Sequence, residues 1–258
     1  MPIGSLHRYQ QRHVSAQLSV SMAHHITVQL LRIVEPLHAC GVAHRAISTE
    51  TILLEAHDMH IQEAILNVLS NGQAVLPADL FLQLHAKLDD LSQGVLHRLE
   101  MFPRSQDDYQ SLVLGPTPIG AHTATCPEHY RALYLQQPPN TPPLMYCGFS
   151  VDMWQVGVVL LTILTGCPPF RTSNLPNTAH LPDLHGWMQI VHTPGALRRH
   201  PVRTATTHAI MSLVDFIADE ACMCFLERLL QPSPEHRLTV PAALQDPWVL
   251  AHPSFRAL

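Results

Sequence analysis

His44-Arg45-Ala46-Ile47-Ser48-Thr49-Glu50-Thr51, followed by the apolar run Ile52-Leu53-Leu54, is the stretch on which the reading of this 258-residue chain turns. Ahead of it, Ile26, Leu30, Ile33 and Leu37 fall at i, i+4, i+7 and i+11. That spacing puts them on one face of a helix, with Cys40-Gly41 as its stop. Pro36 lies inside this helix, where it removes a hydrogen bond and favours a bend. Behind the stretch, residues to about 76 read as short strands. The loop between has no proton acceptor at Ala46. Thr51 offers only a hydroxyl, a poor ligand for a hard cation.

Further landmarks follow in order along the chain. Upstream stands Met1-Pro2-Ile3-Gly4-Ser5-Leu6, and downstream Cys126-Pro127-Glu128. Then come Val151-Asp152-Met153-Trp154-Gln155-Val156-Gly157 and Thr165-Gly166-Cys167-Pro168-Pro169-Phe170. Pro234-Glu235-His236-Arg237-Leu238-Thr239 and Pro247-Trp248-Val249 close the series. Together these resemble the protein kinase family over essentially residues 1–258. The stretch at 44–51 is similar to its catalytic loop, His-Arg-Asp-Leu-Lys-x-x-Asn, in which the Asp takes the substrate proton and the Asn holds magnesium. Ala46, Ser48 and Thr51 stand where the family has Asp, Lys and Asn. Trp154-Gln155-Val156-Gly157, Ile26–Val34 and Phe225–Leu230 further resemble the rhoptry kinases of apicomplexan parasites, a family that includes many pseudokinases.

The resemblance implies a mainly α fold, a protein-kinase-like C-terminal lobe with short β-hairpins, in one domain over 1–258. Its expected parts are a catalytic-loop region at 44–54, an extended activation segment with an inserted helix at about 79–128, and a helical core at 150–250. It implies that Glu128 pairs with Arg237 and that Asp152 accepts hydrogen bonds from the backbone around His44 and Arg45. Trp154 and Gly157 are expected to hold the core, and Arg45 to be able to bind an anion. The family's metal-binding Asp-Phe-Gly falls at Glu63-Ala64-Ile65 or, after an Asn71-Gly72 turn, at Asp79-Leu80-Phe81. In the second alignment Asp79 is the residual metal position. Its other reading is a helix cap.

With Met1 placed just after the family's hinge, the expectation is that the N-terminal lobe is absent and that neither ATP nor magnesium is a cofactor. The chain's single lysine, Lys87, lies downstream of the loop. The function expected is a catalytically inactive module that engages a protein partner, a kinase or a kinase substrate. The alternative is the truncated sequence of a fuller kinase that binds ATP and transfers phosphate weakly.

Composition bounds the remaining classes. A net charge of −5 without a basic stripe argues against nucleic acid as a partner. The longest apolar run, Val156–Leu164, is too short for a membrane span. Arg8 and Arg12 lead into polar residues, so Met1 opens no signal-peptide pattern. A rhoptry relationship would imply secretion and a missing leader. Six cysteines form no Cys-x-x-Cys pair and read as free thiols, and the nineteen histidines show no four-ligand zinc spacing, so no metal site is expected. Residues 79–101 carry helical spacing, 103–125 and 138–143 read as loops, 171–204 as irregular, and about 207–231 and 239–246 as closing helices.

Overall fold

An 18-residue helix, Gly148–Thr165, is the axis of the protein. Every residue from Val151 to Thr165 is buried, so the helix needs partners on all sides rather than along one stripe. Gly166, in the left-handed conformation at φ 77°, ends it. By length and a mean hydropathy of 1.5 this helix is apolar enough to cross a membrane, but it is 89% buried inside the fold. Asp152 and Gln155 interrupt its apolar surface one turn apart.

The computed structural model describes residues 2–12, 17–56, 58–70, 76–96, 113–114, 126–128, 146–167, 192–203 and 209–253. Strand β1 (Pro2–Ser5) leads into helix α1 (Leu6–Arg12) and the 20-residue helix α2 (Val20–Ala39). Ser19 caps α2 by accepting from the Met22 amide at 3.3 Å, and Gly41, at φ 76°, follows its end. Pro36 is accommodated within the last turn of α2, which continues to Ala39. Ile26, Leu30, Leu31 and Val34 of α2 are buried in the core cluster that includes the axial helix, α5 (Gly148–Thr165). The last turn of α5 is tied down by the entry to α2. The Leu18 amide donates to Ile163 O at 2.8 Å and Gln17 Nε2 to Thr165 O at 3.1 Å. Carbonyls that a helix end leaves open are thereby satisfied.

After β2 (Val42–Ala43) and the loop, strand β3 (Ile52–Glu55) is the centre of a three-stranded antiparallel sheet. β1 lies on one side and β4 (His85–Leu88) on the other, with Leu53 opposite Lys87 and Glu55 opposite His85. Ile52 and Leu54 alternate into the core. Lys87 forms an ion pair with Glu55 across this hairpin. Helix α3 (Met59–Ser70) and the short α4 (Ala78–Phe81) fill the connection between the two strands. β2 pairs with β5 (Val95–Leu96), and β6 (Val113–Leu114) with β7 (Tyr146–Cys147). β8 (Pro201–Arg203) and β9 (Ile210–Ser212) form a hairpin before α6 (Leu213–Ile217). Helices α7 (Glu220–Leu229), α8 (Val240–Leu244) and α9 (Pro247–Leu250) close the fold.

The described residues are mainly helical with short antiparallel strands, but three expectations need correction. The helix expected over 79–101 is instead α4, strand β4, a 3₁₀ turn (Leu91–Gln93) and β5. Leu80, Leu84, Leu88 and Leu91 do fall at helical spacing, yet β3 offers a paired edge, and that tertiary partner overrides the local pattern. Met59–Ile65, read as strand and as a metal-binding turn, is helical. Within the irregular stretch expected over 171–204 and the helix expected from 207, β8 and β9 pair as a hairpin. The Asn71-Gly72 turn, the loop at 138–143 and nearly all of 103–125 lie outside the described residues.

Candidate functional site

Asp152 and Gln155 are three residues apart on α5, so both side chains leave the same face of the helix. They meet the backbone of the loop that starts at His44. Asp152 Oδ2 accepts from the His44 amide and from His38 Nε2, each at 2.8 Å. Asp152 Oδ1 accepts from the Arg45 amide at 2.6 Å. Gln155 Nε2 donates to Arg45 O at 2.8 Å, and Gln155 Oε1 accepts from the Ile47 amide at 2.9 Å. Arg45 is thus held through both its backbone groups. It needs to be, because its φ is 65°, a left-handed conformation that costs a residue with a β-carbon about 1–2 kcal/mol.

The loop side chains complete the frame. His44, fully buried, receives the Ala46 amide at Nδ1 (3.2 Å), and its Nε2 donates to Asp89 O at 3.1 Å. Arg45 Nη1 donates to the Tyr146 hydroxyl at 3.1 Å. Burial pushes the Tyr146 phenol above its ordinary range, and the Arg45 charge pulls against that. Thr51 Oγ1 is turned inward: it lies 2.9 Å from Ala46 O and 3.2 Å from Ser48 O, and accepts from the Ser48 amide at 3.0 Å. Ser48 and Ala46 are buried.

A second constellation adjoins it on the same axial helix. Glu128 and Arg237 form a two-pronged ion pair, 2.7 Å from Nη1 to Oε1 and 3.0 Å from Nη2 to Oε2. Arg237 also donates to Ser150 O at 2.7 Å and to Gln231 O at 3.0 Å, and its guanidinium lies 5.0 Å above the Trp154 ring. The Arg237 side chain has no exposed surface. At Gly157, a β-carbon would come within 2.9 Å of Leu229 Cβ and Leu230 Cδ2, so α5 and α7 approach at this point only because the residue is glycine.

His44, Arg45, Ala46, Ser48, Thr51 and Asp152 are brought together. Glu128, Trp154 and Arg237 meet beside them, with Gly157 one turn further along α5. Asp79 makes none of these contacts: it is exposed in the first turn of α4. Glu63-Ala64-Ile65 lies within α3. The acidic residues that do follow the hairpin's second strand are Asp89 and Asp90. The Asp89 amide donates to Thr51 O at 2.9 Å, while Asp90 caps the 3₁₀ turn through Ser92. Sequence reasoning also missed His38, Gln155 and Tyr146 as parts of the frame. Gln155 carried a signal, a polar residue one turn from Asp152 in an otherwise apolar helix.

Chemically, the loop offers two hydroxyls that bond to each other's backbone and no carboxylate at Ala46. A kinase pair of magnesium ions needs the oxygen-rich Asp and Asn set, and these residues do not fit it. Among the described residues no three His, Cys, Asp or Glu side chains converge as a metal site.

The Protein kinase domain family model matches residues 140–249. Serine/threonine-protein kinase CHK1 of Saccharomyces cerevisiae is 27% identical over 228 residues, covering 88% of this chain and 31% of that protein. CBL-interacting serine/threonine-protein kinase 5 of Arabidopsis thaliana is 24% identical over 221 residues, covering 86% of this chain and 34% of that one. Among solved structures, the Rad53 kinase domain and SCD2 superposes with a TM-score of 0.54 at 19% identity, over 95% of this chain and 63% of that chain. The fold is therefore protein-kinase-like, and the likenesses support the protein kinase superfamily. The chain spans about a third of the length of these curated relatives.

Proposed function

We propose that this is a pseudokinase module, a kinase-like C-terminal lobe that binds a protein partner and does not transfer phosphate. The observation that carries this reading is Ala46, held in a loop whose backbone is clamped by Asp152 and Gln155 while the Thr51 hydroxyl is spent on Ala46 O and Ser48 O. The frame that shapes a catalytic loop is intact, and the groups that would move a proton or hold a cation are not in it. Loss of the catalytic base and of substrate positioning act together, so phosphotransfer is expected to be absent. The kinase relatives make a protein partner, a kinase or a kinase substrate, the natural class. The rhoptry kinase subfamily, and the secretion it implies, rests on the three short segments named above.

The test is a thermal melt with and without magnesium-ATP, together with transfer of labelled phosphate to a generic protein substrate. No shift and no transfer are expected. Transfer that survives purification and disappears in the Thr51→Val variant would overturn the reading.

Asp89 and Asp90 favour one other function. They leave the hairpin beside His44, where a kinase places its metal-binding Asp, so a longer chain could retain nucleotide there and transfer phosphate weakly. A magnesium-dependent ATP shift lost in Asp89→Asn or Asp90→Asn would establish this alternative.

A further inference from the structure

Three imidazoles meet where the end of the described chain crosses α2. His25 Nδ1 and His252 Nε2 are 3.3 Å apart, with their rings stacked at 5.4 Å. The His24 ring stands edge-on to His252 at 4.9 Å and lies 4.4 Å from the Trp248 ring. Among the described residues His24 Nε2 is buried without a hydrogen-bond partner, and His252 is only 7% exposed. Other elements also face the cluster. His25 Nε2 lies 2.9 Å from Leu84 O and 2.7 Å from Gln29 Nε2. The Trp248 and Val249 backbone and the Asp219 carboxylate favour charge on His24, while Arg32 opposes charge on His252.

We propose that His24, His25 and His252 form an acid-released latch, which holds the segment Pro247–His252 on α2 while the rings are neutral and frees it when they protonate. A single N–H can bridge the 3.3 Å gap between His25 and His252, because one neutral ring donates and the other accepts. With both rings protonated, two donors and two positive charges face each other there. Trp248, which also stacks on Phe225 at 5.0 Å, is the side chain the released segment would expose. The ion pair between Arg228 and Asp246 lies just ahead of this segment and gives it a fixed point from which to swing.

The electrostatics agree in sign. Burial lowers all three rings, and His252, with His24, His25 and Arg32 around it, is brought down to about 4. A histidine lowered in the folded state leaves stability intact above its ordinary value, and stability declines as pH falls from there toward the folded value. At pH 5, His252 alone shifts the folding ratio by up to about 30-fold.

The experiment uses the whole chain and follows tryptophan emission and thermal melting from about pH 7.5 to 4.5, in the parent, His252→Phe, His252→Gln and His60→Phe. His60 is an exposed histidine on α3 and serves as the control. A fall in the pH 5 to pH 7 stability ratio that is about tenfold or more smaller in the His252 variants, and unchanged in His60→Phe, is expected. An unchanged pH slope in His252→Phe or His252→Gln overturns the latch. NMR titration of His252 in the parent needs no variant. Protonation well below the ordinary histidine range, accompanied by a change in the Trp248 signal, is expected. Titration near the ordinary value would refute the proposal.

Discussion

Replacing Asp152 by asparagine preserves shape and removes one acceptor, which makes its cost calculable from the three contacts. The carboxylate accepts from His38 Nε2 and the His44 amide on one oxygen and from the Arg45 amide on the other. An asparagine can keep its carbonyl on the first pair, but its NH₂ then faces the Arg45 amide at a 2.6 Å separation. One charge-assisted bond is lost, worth about 1.5–3 kcal/mol, and a buried donor is left unpaired. The remaining bonds weaken with loss of charge, so about 3 kcal/mol is expected in total, allowing for partial relaxation. For a domain of this size that corresponds to a fall in Tm of roughly 6–12 °C. Circular dichroism melts at neutral pH and urea titrations measure it, and amide hydrogen exchange should rise first at His44 and Arg45. An Asp152→Asn protein melting within about 1 °C of the parent, with those amides equally protected, would refute the clamp.

Glu128→Ala leaves the buried Arg237 guanidinium with Ser150 O and Gln231 O but no counter-charge, so its loss should sit at the low end of about 3–5 kcal/mol. Adding Arg237→Met to Glu128→Ala should restore part of it, and a double variant no more stable than the single one argues against stranded charge. Gly157→Ala should cost about 1–3 kcal/mol by forcing α5 and α7 apart, and an unchanged urea midpoint would contradict the close approach to Leu229 and Leu230. Cys40 and Cys167 are exposed and should be labelled rapidly by a maleimide. Cys126, Cys147 and Cys222 are buried, burial pushes the Cys222 thiol up to about 12, and these three should react only on unfolding.

Much of the frame was legible because its signals are local. The spacing of Ile26, Leu30, Ile33 and Leu37 identifies α2, and the apolar run Val156–Leu164 identifies a helix buried on every side. The hairpin was not legible. His85-Ala86-Lys87-Leu88 alternates for only four residues, and its partner β3 lies far upstream, whereas the neighbouring leucines offered a longer helical pattern. Reading β4 as helix leaves Glu63 and Asp79 as the acidic candidates, because Asp89 and Asp90 follow a strand that the local pattern does not reveal. The hydrogen bonds that join His38 to Asp152, and Gln155 to Arg45 and Ile47 of the loop, link residues more than a hundred positions apart, and only packing of α2 on α5 shows that they meet.

The long excursion between β3 and β4 has a kinetic meaning. A tight hairpin pairs its strands almost as soon as its turn forms, but this one must close a connection of about 30 residues, an added entropic cost near 2 kcal/mol relative to a short turn. β4 has a second anchor in α2: Gln29 Oε1 accepts from the Ala86 amide at 2.8 Å, and Gln29 Nε2 donates to Leu84 O at 3.1 Å. The strand can therefore dock on a helix that is already formed before its ladder with β3 zips up. Such an order of assembly makes the sheet edge a late event, recruited by the helical layer, and it leaves α3 and α4 free to vary in length with little effect on the pairing they interrupt.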